Sequence, residues 1–198
     1  MDYDRLESQM RFICEIDQLK HIERQSALTD GTRQENVSEH SWHIATMAIL
    51  LSEYSNDTNI DVLKVLKMLL IHDLVEIDAG DTFLYDKLGN STKENREKEA
   101  AERIFGLLPA DQAFEMKAIW SEFEARESPE AKFAFVMDAL QPLLLSYRNK
   151  GWSWKKHGIV KSQIVEKKEP IKIGSSDLWE YAKLIIEESV KGGFLIEG

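Results

Sequence analysis

Between Asp61 and Asp73 the apolar residues Val62, Val65, Leu66, Leu69 and Leu70 recur three and four positions apart. That interval lays them along one stripe of a helix, because the α-helix turns every 3.6 residues. The same period runs through almost the whole chain, and only the short Ile171-Lys172-Ile173 alternates as a strand would. A chain written in this one period buries its apolar stripes by packing helix on helix, so the expectation is an all-α fold. Its 198 residues, 43% hydrophobic and 30% charged, suit one globular domain over residues 1–198 that can bury its own core.

Punctuation along the chain divides it into elements. A first helix is expected over residues 3–23, with Met10, Ile13, Cys14 and Leu19 inward. Cys14 is the single cysteine, so no intramolecular disulfide can form; it reads as a small buried hydrophobe, and a reducing compartment fits. Residues 25–36 are polar, aperiodic and contain Gly31, the mark of a loop. Ser38 is placed to cap a helix reaching residue 54, with Trp42, Ala45 and Ile49 inward. Asp61 starts the next helix, which runs into His72-Asp73.

A structured loop is expected over 78–90, then helices over 91–107 and 109–127. Ser128-Pro129 opens a helix reaching residue 149, with Pro142 kinking or restarting it. A short irregular piece around 152–157 follows. Helices over 159–168 and 175–191 then pack, within residues 158–192, on a core of residues 20–150.

The formal net charge of −10 makes a nucleic-acid polymer a poor partner, since such polymers bind by phosphate neutralisation. A small phosphorylated ligand is still compatible, because one metal ion and one or two arginines can hold a phosphate inside an acidic protein. The chain opens on acidic residues and has no apolar run long enough to span a bilayer. The expectation is a cytoplasmic protein without membrane association.

Three places set ionisable side chains where helix packing prefers apolar ones: His72-Asp73 inside Leu69–Val75, His40 at the start of its helix, and Asp138 inside Phe135–Leu140. A buried carboxylate costs several kcal/mol unless it is paired or coordinated. Histidine with carboxylate is a ligand set that Zn, Mn, Fe and Co share. Each feature alone has a plainer explanation. His40 on its own reads as a satisfied core histidine more readily than as a ligand, Asp138 as a buried hydrogen-bonding group, and His72 with Asp73 as an ion pair of a purely structural bundle.

The order His … His-Asp … Asp on three helices is more specific, with spacings of about 32 and 65 residues. Here the sequence resembles the HD-domain superfamily of metal-dependent phosphohydrolases, and within it the small bacterial 5′-deoxynucleotidases and their oxetanocin-A-resistance-like relatives. The stretches that carry the resemblance are Arg24, Glu35-Asn36-Val37-Ser38-Glu39-His40-Ser41, Leu70 through Asp81 and Asp138. Together they span residues 20 to 140.

The resemblance implies a single HD-type helical bundle with His40, His72, Asp73 and Asp138 as ligands of one divalent ion (Mn, Co, Zn, Fe or Mg). It implies Glu76 and Asp81 as catalytic carboxylates and Arg24 as the residue meeting the substrate phosphate. The substrate implied is a nucleoside or deoxynucleoside 5′-monophosphate, and the assembly a homodimer. Gln25 departs from members that carry tryptophan after the arginine, which bears on deoxyribose preference.

His43, three residues beyond His40, is a candidate partner of the site. The segment 152–158 reads either as a surface turn anchored by tryptophans or as a pocket wall bringing Lys155 or His157 near the phosphate. Two other functions compete: a phosphodiesterase or guanosine-tetraphosphate-type hydrolase of the same superfamily, and a non-catalytic nucleotide-binding protein.

Overall fold

The computed structural model describes residues 3–198; Met1 and Asp2 of the expected domain lie outside the described residues. Helix α1 (Tyr3–Glu15) ends earlier than expected and passes into a 3-10 turn at Ile16–His21. Two apolar stripes compete on this segment, and the one through Phe12, Ile16 and Leu19 faces the core. Met10 and Ile13 are consequently half-exposed, and Cys14 is exposed rather than buried.

The expected loop over 25–36 is a correction. Strands β1 (Glu23–Ala27) and β2 (Gln34–Asn36) pair antiparallel, with Glu23 opposite Asn36 and Ala27 opposite Gln34. Gly31 sits at the turn with φ of +70°, a backbone state that glycine adopts without strain. Ala27 and Glu35 point inward from an otherwise polar hairpin.

Helix α2 (Val37–Leu51) is capped by Asn36 and not by Ser38. The Asn36 side chain accepts from the Glu39 N–H, and the Glu39 carboxylate accepts from the Asn36 N–H, a reciprocal capping box. This start turns His40, Ile44 and Ala48 inward at four-residue spacing and leaves Trp42 and Ile49 67% and 58% exposed. Their expected burial does not hold.

Helix α3 (Val62–Ile71) begins at Asp61 as the sequence indicates, with the Asp61 carboxylate accepting from Lys64 N–H. Val65 and Leu69 are fully buried, whereas Leu70 is half-exposed. The helix then tightens into a 3-10 turn at His72–Val75, relaxes into α4 (Glu76–Ala79), and stops at Gly80.

Helices α5 (Lys87–Phe105) and α6 (Ala110–Ala125) follow; α5 starts ahead of its expected position because Asp86 caps it. Helix α7 (Pro129–Arg148) is capped by Ser128 and runs unbroken through Pro142. Pro142 has no N–H to give the carbonyl of Asp138 four residues before it. Burial of Met137, Leu140 and Leu143 on either side holds the helix together there. Helix α7 is the axis of the fold, packed by α2, α3 and α6.

The chain closes with α8 (Trp152–His157), α9 (Lys161–Lys168), α10 (Ile171–Gly174) and α11 (Ser176–Lys191). The segment expected to be irregular is thus a short helix, and Ile171-Lys172-Ile173 is helical. Helices α10 and α11 pack on α7, and α9 packs on α11. Among the described residues no helix is long and apolar enough to cross a membrane. The result is a single helical domain with one small hairpin.

Candidate metal centre

Four elements bring the ionisable residues together. Helix α2 carries His40, the 3-10 turn after α3 carries His72 and Asp73, α7 carries Asp138, and strand β1 carries Arg24. A 3-10 turn spreads successive side chains by about 120°, so His72 and Asp73 can flank one point beside the backbone.

His40, His72 and Asp73 each offer one donor atom, and these atoms lie within 4.8 Å of one another. Asp138 joins them: its Oδ1 is 3.1 Å from His40 Nε2 and 3.9 Å from His72 Nε2. The four residues expected as ligands therefore meet in one place.

The second nitrogen of each ring is occupied, which fixes the face presented to the cluster. His72 Nδ1 lies 3.0 Å from the carbonyl of Leu69, which can only accept, so this nitrogen is the N–H. His40 Nδ1 lies 3.1 Å from Gln141 Oε1. Gln141 Nε2 donates to Glu35 at 2.8 Å and lies 3.2 Å from His43 Nδ1, so its Oε1 is left to accept from His40.

Both rings thus turn Nε2, the lone-pair nitrogen of the neutral tautomer, toward Asp73 and Asp138. A buried carbonyl or amide behind a histidine is the arrangement that orients a metal ligand. His72 Nε2 is buried, and although Asp73 Oδ1 is 3.0 Å away the two are not aligned as a hydrogen bond. Two lone pairs facing two carboxylates are mutually repulsive unless a cation or proton stands among them. This donor set fits a divalent ion.

Charge states follow from burial and neighbours. Burial works against a proton on His72, but the carboxylates of Asp73 and Asp138 carry it up to about 10. Burial, with Arg24 adding to it, takes His40 down to about 4. Asp73 and Asp138 are held below the ordinary carboxylate range by the adjacent histidines, against the effect of burial.

Arg24 is almost enclosed by acids. Its Nη1 is 2.9 Å from Asp73 Oδ2 and 3.7 Å from Asp81 Oδ1, Nη2 is 3.9 Å from Asp138, and Nε is 3.6 Å from Glu35. The hairpin missed in the sequence is what delivers it. Glu76, at the start of α4, is buried with Oε2 free of any hydrogen bond. Burial and the charge of Asp73 raise its carboxyl well above the ordinary range. Burial also raises Asp81, with Arg24 opposing it.

Arg24, Asp73, Glu76, Asp81 and Asp138 line a common cavity, whose wall also includes Phe83 and Tyr85 of the following loop, Trp154 of α8 and Lys168 of α9. The pocket-wall reading of the 152–158 segment holds for Ser153 and Trp154. Lys155, which is exposed, and His157, whose ring lies 4.3 Å from that of cavity-lining Phe83, are not among the residues that line it.

Gln141 and Lys168 are among the site residues that the sequence reading does not name. Gln141 lies one turn beyond Asp138 in an apolar helix, a spacing that could have flagged it. Lys168 sits in the run Glu166-Lys167-Lys168-Glu169, which reads as a solvated face and carries no signal.

The HD domain family model matches residues 16–179. A solved structure from Magnetospirillum magnetotacticum, described as a predicted metal-dependent phosphohydrolase, is 51% identical. The match covers 98% of this chain and 96% of that one, with a TM-score of 0.93.

Mouse and human proteins named 5'-deoxynucleotidase HDDC2 are each 31% identical. Those matches cover 68% and 69% of this chain and span 66% of the length of each relative. With the family model matching from the 3-10 turn before the hairpin into α11, the chain belongs to the HD-domain superfamily of metal-dependent phosphohydrolases.

Proposed function

We propose that the protein hydrolyses nucleoside 5′-monophosphates, deoxyribonucleotides among them, to nucleoside and phosphate, with one divalent ion held by His40, His72, Asp73 and Asp138. The observation that carries this reading is the pair of imidazole Nε2 atoms turned on two carboxylates beside a buried arginine. The relatives named 5'-deoxynucleotidase support the choice of substrate. When bound, a divalent ion would polarise a phosphate oxygen and lower the pKa of water.

The chain's own residues account for binding and proton transfer. Arg24 presents a planar guanidinium that matches two phosphate oxygens at once. Asp81, a stronger base than an exposed aspartate because it is buried, orients the attacking water and accepts its proton. As water oxygen bonds to phosphorus, the bond from phosphorus to the 5′-oxygen breaks. Glu76, protonated in its buried site, gives its proton to that leaving oxygen. Phe83, Tyr85 and Trp154 offer the rest of the nucleoside apolar surface.

The test is phosphate release from a panel of ribo- and deoxyribonucleoside 5′-monophosphates, with Mn, Co, Zn or Mg added to metal-free protein. Release from 5′-monophosphates with at least one metal supports the reading. Cleavage of a phosphodiester with every monophosphate inert would replace it with the diesterase alternative.

A further inference from the structure

Lys168 is the last residue of α9, outside the helices that carry the expected ligands, yet only 7% of it is exposed and its side chain lines the cavity of Arg24, Asp73 and Asp138. Lysine is almost never buried unless it is paired. Among the described residues Lys168 has no carboxylate within ion-pair distance and no hydrogen bond. The other cations of the cavity wall are committed: Arg24 lies within 4.0 Å of four carboxylates, and Lys93 is 3.4 Å from Glu97.

An unpaired ammonium held in a cavity wall is costly in the empty fold. A partner entering from solvent relieves that cost, and the partner must be an anion. Asp138 and Arg24, the charges that act on Lys168, line the same cavity.

We infer that Lys168 is a phosphate-binding residue whose ammonium receives oxygens of the substrate's phosphoryl group and of the released phosphate, making α9 part of the phosphate site together with Arg24. The inference rests on the phosphomonoesterase reading above for its substrate, but it concerns anion binding and can be separated from turnover. It gives the cavity one positive charge free to meet a dianion, which Arg24, surrounded by acids, does not supply alone. A lysine suits this role as a mobile point charge, while the arginine fixes orientation through its fork.

The experiment is calorimetric titration of inorganic phosphate, and separately of an unphosphorylated nucleoside, into manganese-loaded wild type, Lys168→Met and Lys168→Arg. Lys168→Met should bind phosphate about tenfold more weakly or worse, with nucleoside binding unchanged, while Lys168→Arg stays within about threefold of wild type. Both variants should melt at or above the wild-type temperature, because an unpaired buried charge is removed or kept. Lys168→Gln serves as the neutral variant if the Met protein does not fold.

Unchanged phosphate affinity in the neutral variant overturns the inference. So does equal loss of phosphate and nucleoside binding, or a wild type that binds no phosphate. If wild type hydrolyses no monophosphate but the neutral variant alone loses phosphate, the inference stands and the proposed reaction falls.

Discussion

His40 Nε2 lies 3.1 Å from Asp138 Oδ1, although 98 residues separate them in the chain. The contact joins the first turn of α2 to the middle of α7. It exists because α2 packs on α7 with its His40, Ile44 and Ala48 stripe inward. Gln141, one turn along α7 from Asp138, holds the far side of the same imidazole.

That arrangement makes Gln141 a positioning residue for the proposed metal site. Gln141→Leu should weaken divalent-metal affinity about 10- to 100-fold, as loss of a group behind a histidine ligand commonly does. It also strips the buried Glu35 carboxylate of its hydrogen bond, which should cost about 1–3 kcal/mol of stability. Competition against a chromophoric chelator gives the first quantity and urea denaturation the second.

Glu76 is assigned to proton delivery and not to metal binding, and the two roles separate in kinetics. Glu76→Gln should retain metal at wild-type stoichiometry and lower kcat by about 10²- to 10⁴-fold with little change in KM. Elemental analysis beside steady-state assays measures both. Loss of metal in this variant would make Glu76 a ligand.

The buried ammonium of Lys168 gives a pH signature. Burial lowers its pKa from the ordinary 10.5 to about 8, so the folded state binds fewer protons than the unfolded chain between these values. The cost of burying the charge is full below pH 8 and is relieved as pH rises toward 10.5. Lys168→Met should therefore gain stability over wild type at pH 7, up to about 3 kcal/mol, and lose that advantage above pH 10. Phosphate affinity of wild type should fall as pH rises through 8. Denaturation and phosphate titration at pH 7, 8.5 and 10 follow both trends.

How far the sequence could be read follows from which signals are local. Helices α3 and α7 were legible because their caps, Asp61 and Ser128-Pro129, stand beside long periodic runs. His40, His72, Asp73 and Asp138 were legible as polar intrusions into such runs, given the resemblance that tied them together.

The hairpin was not legible. Five and three residues are too short to show alternation, and its buried Glu35 breaks the expected pattern. The sequence alone points Cys14 and Trp42 inward because each helix offers two apolar stripes, and only tertiary packing chooses between them. Lys168 lay beyond reach for a different reason: its burial is created by the cavity, and its neighbours in sequence are exposed charges.

The central claim is that hydrolysis depends on a divalent ion held by His40, His72, Asp73 and Asp138. The direct measurement is phosphate release from a 5′-deoxynucleoside monophosphate by wild type and Asp73→Ala, each assayed after chelation and after metal is restored, with bound metal counted. Wild type should lose turnover with its metal and recover it on reloading, at one ion per chain, while Asp73→Ala should bind metal poorly and stay inactive. Turnover that survives both chelation and Asp73→Ala would contradict the account.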